Sequence, residues 1–295
     1  QELVVIFSDW HTFQEQKQDI THPNARVFIN DITSPQAPEC FHDLPWSLLT
    51  GFRTVEVSEE TLFRCNPLMV WPFPNINITA SRNKSLDLRP FVFVTGVDLN
   101  HHSCAITLPS SVTLLSFFGA ARNNVVSGVE HVQRLFAGEH SLRQTPFPSL
   151  KEFVWTNKRG TTSYDSAPIV RADFNRLTDL TLETSAVADD FVFPVGLKEL
   201  TMTISGPTEF DVRRITHLTN LQCLTLTYNG SNTPLDLSLM QLVSLETTYS
   251  AVEHLPMTLE RCDIAPQTDF DGSALTNLQD LRISSKSPIR LTLPQ

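Results

Sequence analysis

The sequence predicts a repeat solenoid: short parallel strands stacked into a curved β-sheet on a concave side, joined by extended or 3₁₀ returns with few helices. Three observations predict it. A six-residue phrase, L-x-x-L-x-L, recurs along the chain. Its occurrences are spaced at about one coil of a solenoid, 17 to 27 residues apart. Glycine is scarce, at 10 of 295 residues, while proline is frequent, at 19, as expected for many short connections between short elements.

The phrase is plainest in the C-terminal half. Leu177/Leu180/Leu182, Leu197/Leu200/Met202 and Leu221/Leu224/Leu226 are followed by Leu242/Leu245/Thr247, Leu259/Cys262/Ile264 and Leu278/Leu281/Ile283. Toward the N-terminus it degenerates but persists, in Leu150/Phe153/Trp155, Val132/Leu135/Ala137, Val112/Leu115/Phe117, Val94/Val97/Leu99, Phe73/Ile76/Ile78 and Phe52/Val55/Val57. A random triple would be apolar at all three sites only about 7% of the time at 41% hydrophobic content, so the series is a pattern. Earlier units are expected at Val27/Ile29 and Leu3/Ile6, which gives about 12–14 irregular repeats in a single domain over 1–295.

In x-L-x-L, alternate side chains point to one face of a short strand. The leading apolar residue and the returning segment close the same core from the other side. One coil of this length cannot bury its own apolar face, whereas stacked coils make a continuous core. Returns this short leave little room for helices. Pro109, Pro146, Pro148, Pro194, Pro234 and Pro256 fall in them, where a missing amide does no harm. Two steps are too long and read as insertions, near 30–48 with Pro35, Pro38 and Pro45, and near 157–170 with the polar run from Lys158 to Pro168. Insertions of this kind project from an edge of a solenoid and often carry contacts.

Nearly the whole chain thereby resembles the leucine-rich-repeat proteins. Leu108-Pro-Ser-Ser-Val112-Thr-Leu-Leu115 is similar to the L-P-x-S-V-T-x-L phrase of BspA-like and FNIP-type repeats, and Thr61-Leu-Phe63-Arg-Cys65-Asn-Pro-Leu68 resembles the A-F-x-x-C-x-x-L phrase of the BspA-like kind. The chain departs from the family in lacking the Asn that normally follows the strand. The resemblance implies a non-catalytic recognition scaffold that binds a protein, or a glycan, on the sheet face.

Composition narrows the function further. The net charge is −10, from 22 Lys+Arg against 32 Asp+Glu, the wrong sign for a surface that binds nucleic acid. It favours a protein partner with a basic surface. No apolar run approaches a membrane span, so no membrane insertion is expected. The chain begins at Gln1 without a Met, which fits a mature secreted or cell-surface protein or a segment cut from a longer one. Neither end reads as capped, so the ends are candidates for self-association. Cys40, Cys65, Cys104, Cys223 and Cys262 lack metal-ligand spacing and are expected mostly as buried free thiols, with one bridge among the first three left open.

Residues alternating with the core positions should face outward. The partner-binding candidates on this face are Phe118, Arg134, Phe136, Glu152, Asp179, Thr181, Glu199, Thr201, Thr225 and Glu246. Asp98, Asp263 and Asp280 extend its acidic character, and aromatic residues among polar neighbours make good anchors. Catalytic signals do not gather. His101-His102-Ser-Cys104 has zinc-ligand chemistry, but adjacent histidines on an extended chain point opposite ways. No nucleophile elbow, HExxH, phosphate-binding loop or dinucleotide fingerprint occurs, and no cofactor is expected. The sequons at Asn77, Asn83 and Asn229 are no more than chance supplies in so Asn-, Ser- and Thr-rich a chain. Two rivals to the recognition scaffold stand: a self-assembling surface or coat component, and a β-solenoid enzyme acting on polysaccharide.

Overall fold

The computed structural model describes residues 3–7, 12, 15–16, 25–29, 54–57, 75–78, 85–92, 94–100, 105–118, 125–138, 147–156, 174–187, 189, 191–205, 210–228, 230, 233–266, 269–284 and 288–293. At 3–7, 25–29, 54–57, 75–78, 100, 117, 118 and 125 the description is of the backbone alone. Both insertions, Cys40, Cys65, Cys104, the paired histidines and the sequons at Asn83 and Asn229 lie outside the described residues.

The chain divides into two compact units, Gln1–Ser149 and Leu150–Gln295, and each is a parallel-strand β-solenoid. The first carries β1 (Leu3–Phe7), β2 (Ala25–Ile29), β3 (Thr54–Val57), β4 (Asn75–Ile78), β5 (Ser85–Asp87), β6 (Gly96–Asn100), β7 (Ala105–Thr107), β8 (Leu114–Phe118), β9 (Val125–Ser127) and β10 (Arg134–Gly138). Its front sheet runs β1-β2-β3-β4-β6-β8-β10, and β5-β7-β9 form a second sheet from the returns. The second unit carries β11 (Glu152–Thr156), β12 (Asp179–Thr184), β13 (Glu199–Ile204), β14 (Cys223–Tyr228), β15 (Leu235–Asp236), β16 (Ser244–Thr247), β17 (Val252–His254), β18 (Arg261–Ile264), β19 (Phe270–Asp271), β20 (Asp280–Ile283) and β21 (Leu291–Thr292). Here β11-β12-β13-β14-β16-β18-β20 form the front, and β15 pairs with β17 and β19 with β21 behind. Every repeat read from the sequence is a front strand, including the two earliest. Among the described residues helix is confined to positions 12 and 15–16 and a 3₁₀ turn at Val212–Ile215 capped by the Asp211 side chain.

The register follows the period-two pattern. Leu180↔Leu200↔Leu224↔Leu245↔Cys262 and Leu182↔Met202↔Leu226↔Thr247↔Ile264 are aligned rows, and all of these residues are buried. Thr247, a polar residue at an apolar position, is accommodated because its hydroxyl donates to the Leu226 carbonyl at 2.9 Å and accepts from the Tyr249 amide. In the first unit the returning Leu86, Ile106 and Val126 close the core opposite Val97, Leu115 and Leu135.

The entry to many of the front strands repeats a device. The amide of the leading apolar residue donates to the carbonyl three residues back, as in Val112→Pro109, Leu177→Phe174, Leu197→Pro194, Leu221→Leu218, Leu259→Pro256 and Leu278→Leu275. Two successive amides then converge on one carbonyl of the preceding coil: Thr178 and Asp179 on Lys151, Lys198 and Glu199 on Thr178, Gln222 and Cys223 on Lys198, Val243 and Ser244 on Gln222. The prolines therefore serve as acceptors at the turn. Side chains one residue before the leading position add bonds between coils, from Ser111 to the Val94 carbonyl, Asn220 to Val195, Thr258 to Leu242 and Asn277 to Met257. They do the backbone-satisfying work for which the sequence has no Asn after the strand.

On the return side, Asp87, Asp211, Asp236 and Asp271 each accept the amide two residues on. Hydrogen bonding to Arg89 and Arg213 holds the carboxyls of Asp87 and Asp211 below the usual value, and Ser238 and Ser273 do the same for Asp236 and Asp271. A buried aromatic spine runs through Phe191, Phe193, Phe210, Tyr228 and Tyr249, with neighbouring ring centroids 4.9–6.2 Å apart. The chain passes close over Tyr228: a Cβ on Gly230 would lie 1.8 Å from its ring. Gly128, at φ +77°, turns the chain where a Cβ would meet the Leu108 carbonyl at 2.4 Å.

Candidate functional site

The outer face of the front sheet of the second unit consists of two complete rows in register. The first is Glu152↔Asp179↔Glu199↔Cys223↔Ser244↔Arg261↔Asp280. The second is Val154↔Thr181↔Thr201↔Thr225↔Glu246↔Asp263↔Arg282. A shorter third row, Thr156↔Glu183↔Thr203↔Thr227, extends it where the strands are long. None of these side chains is buried. Seven of the ten candidates, Glu152, Asp179, Thr181, Glu199, Thr201, Thr225 and Glu246, thus share one solvent-facing surface.

Charge is distributed unevenly on it. Glu152, Asp179 and Glu199 stand side by side on consecutive strands, which are spaced by about 4.8 Å, and like charges directly opposite one another destabilise a sheet. The Thr178 hydroxyl donates to the Asp179 carboxylate and fixes it in place. Next to the acids, Thr181, Thr201 and Thr225 present three aligned hydroxyls, each a donor and an acceptor. Cys223 sits between Glu199 and Ser244 as a free, half-buried thiol. Its thiol is pushed up by burial and by the nearby charges of Glu199 and Asp179, with Arg261 opposing them. Cys262 is a free thiol in the core, pushed up by burial to about 12. The expectation of free thiols is met at these two positions.

The remaining three candidates belong to the first unit. Arg134 and Phe136 alternate on β10, exposed and half-buried, with the guanidinium carbon 5.8 Å from the ring centroid. Phe118 ends β8, and its side chain lies outside the described residues. The outer row of this unit is not open throughout. Asp98, Ser116 and Phe136 are consecutive in register, yet Ser116 is only 6% exposed. The Asp98 Oδ1 and Ser116 Oγ atoms are buried without a hydrogen-bond partner. Burial pushes the Asp98 carboxyl above its ordinary value, and the Ser116 hydroxyl offsets part of this without closing a hydrogen bond. An Asp on an alternating surface strand reads as exposed; the fold leaves this one half-buried, with one carboxylate oxygen enclosed.

Among the described residues no group of three or more His, Cys, Asp and Glu side chains is gathered closely enough to hold a metal ion, and no helix is long and apolar enough to cross a membrane. No protein-family model matches this sequence, and no curated protein matches it. The surface offers carboxylates, hydroxyls and a broad register-locked sheet.

Proposed function

We propose that the chain is a leucine-rich-repeat-like recognition scaffold that is not an enzyme. It binds a protein partner with a basic surface on the outer face of the second unit. The observation that carries this reading is the row Glu152–Asp179–Glu199. Within this row Asp179 and Glu199 stand directly opposite one another and repel, and a sheet serving only as scaffold would gain stability from an acid paired with a base there. Such a row instead concentrates negative potential along a surface about 10 Å long, which steers cationic partners and sets their orientation. The aligned threonines beside it would supply hydrogen bonds at fixed spacing. A glycan would find the same hydroxyls and carboxylates but would have less use for the accumulated charge.

The test compares wild-type protein with a Glu152→Lys/Glu199→Lys/Glu246→Lys variant as baits in extracts of the source organism, after circular dichroism has shown that both are folded. The expected outcome is a basic protein retained by the wild type, released by salt and lost by the variant. A partner held equally by both would remove the acidic face from the interaction. Absence of any partner, together with concentration-dependent association in light scattering, would replace this reading with a self-assembling component.

A further inference from the structure

The feature that the recognition surface does not absorb is a polar pair in the first unit, the half-buried Asp98 with its enclosed Oδ1 and the buried Ser116. Strand β6 is flanked by β4 and β8, and the positions in register with Asp98 are Asn77 and Ser116. The neighbouring outer row holds Asn75, Gly96 and Leu114. None of these is charged. The nearest charged positions in the two rows are Glu56 on β3 and Arg134 on β10, each two strands from β6, and the charge of neither contributes to the shift at Asp98. An ionised carboxylate can only accept hydrogen bonds, and Oδ1 receives none. Burying such a group uncompensated costs more than burying the neutral acid.

We propose that Asp98 and Ser116 form a proton-sensitive element on the outer face of the first unit, settled when Asp98 is neutral and destabilising when it is ionised. The sign follows from the direction in which burial acts. The folded protein holds the Asp98 proton more tightly than the unfolded chain, whose aspartates have the ordinary value of 3.8. The contribution is therefore fully present below that value and is lost as pH rises through the higher value of the folded state. Above that window the β6–β8 face is destabilised. This inference concerns the first unit and does not rest on the recognition reading.

The experiment is a set of thermal melts of the 295-residue protein across pH, run for wild type, Asp98→Asn and Ser116→Ala. Asp98→Asn keeps the shape and removes the charge. Its melting temperature is expected to exceed that of wild type at about pH 7 and to converge on it only below about pH 3, where Asp98 is protonated in both states. Subtracting wild type from variant cancels every other titrating group. A difference that does not change with pH, or a variant less stable than wild type at neutral pH, overturns the proposal. Carboxyl-carbon NMR of the wild type gives a second reading that survives failure of Asp98→Asn to fold. One aspartate should titrate above the rest and move further up in Ser116→Ala. If every aspartate titrates at or below the ordinary value, the pair is not proton-sensitive.

Discussion

The two ends of the same outer face are built to opposite electrostatic rules. At β11–β13 the facing residues Glu152, Asp179 and Glu199 carry the same sign. At β18–β20 they alternate: Arg261 stands opposite Asp280 and Asp263 opposite Arg282, and Arg282 lies 3.8 Å from Asp280 along its own strand. Parallel pairing in register runs through both ends, although the strands shorten from six residues in β12 and β13 to four in β18 and β20 and the inward Leu281 and Ile283 of β20 are only half-buried. The fold therefore does not require like charges at one end, since it accepts paired charges at the other. That difference separates what the solenoid needs in order to form from what its surface carries for another purpose.

The comparison can be broken or sharpened by mutation. The largest effects should be the ones that do not distinguish the two ends. Leu200→Ala beneath the acidic row and Leu245→Ala toward the paired end each remove a fully buried side chain. Each should cost about 2–5 kcal/mol in denaturant unfolding, at low and high salt alike. A marked salt dependence of either loss would mean that core and surface are not separable as argued. Smaller and opposite effects are expected from charge reversal. Arg261→Glu turns the paired end into a like-charged one and should lower stability by about 0.5–1 kcal/mol, while Glu199→Lys should raise it by a similar amount. Both effects should fade as salt screens these exposed sites. If Glu199→Lys instead destabilises at low salt, the acids are not in conflict and the case for a partner weakens. The smallest effect is chemical. Brief alkylation followed by mass-spectrometric mapping should modify Cys223, on the face between the two ends, and spare Cys262, which is buried and whose thiol is held at about 12.

Much of this architecture was legible in the sequence, because a repeat states the same local rule many times. The L-x-x-L-x-L phrase located each front strand, and alternation placed Glu152, Thr201 and Glu246 on the outer rows. The anchor three residues before the leading position went unread, although it was visible as Pro109, Phe174, Pro194, Leu218, Pro256 and Leu275. It hides because Pro, Phe and Leu share no shape; their carbonyls do the bonding. The spine from Phe191 to Tyr249 was equally hidden, since it joins residues of different coils whose spacing varies. The burial of Ser116 and of the Asp98 Oδ1 has no local signature at all. A period-two pattern reports which way a side chain points, and it is silent on what lies over it.

The way each coil is tied in has a consequence for how such a chain can change length. Amides at the entry to β12, β13, β14 and β16 reach only the coil before, and the added bonds from Asn220, Thr258 and Asn277 do the same. Among the described residues these ties join neighbouring coils. Excising one whole repeat, from one leading leucine to the next, leaves donors and acceptors that can rejoin across the cut, as in any array stabilised by nearest neighbours. Descendants of one ancestral gene could thus carry recognition faces of different widths, trimmed or lengthened one strand at a time, without a new fold.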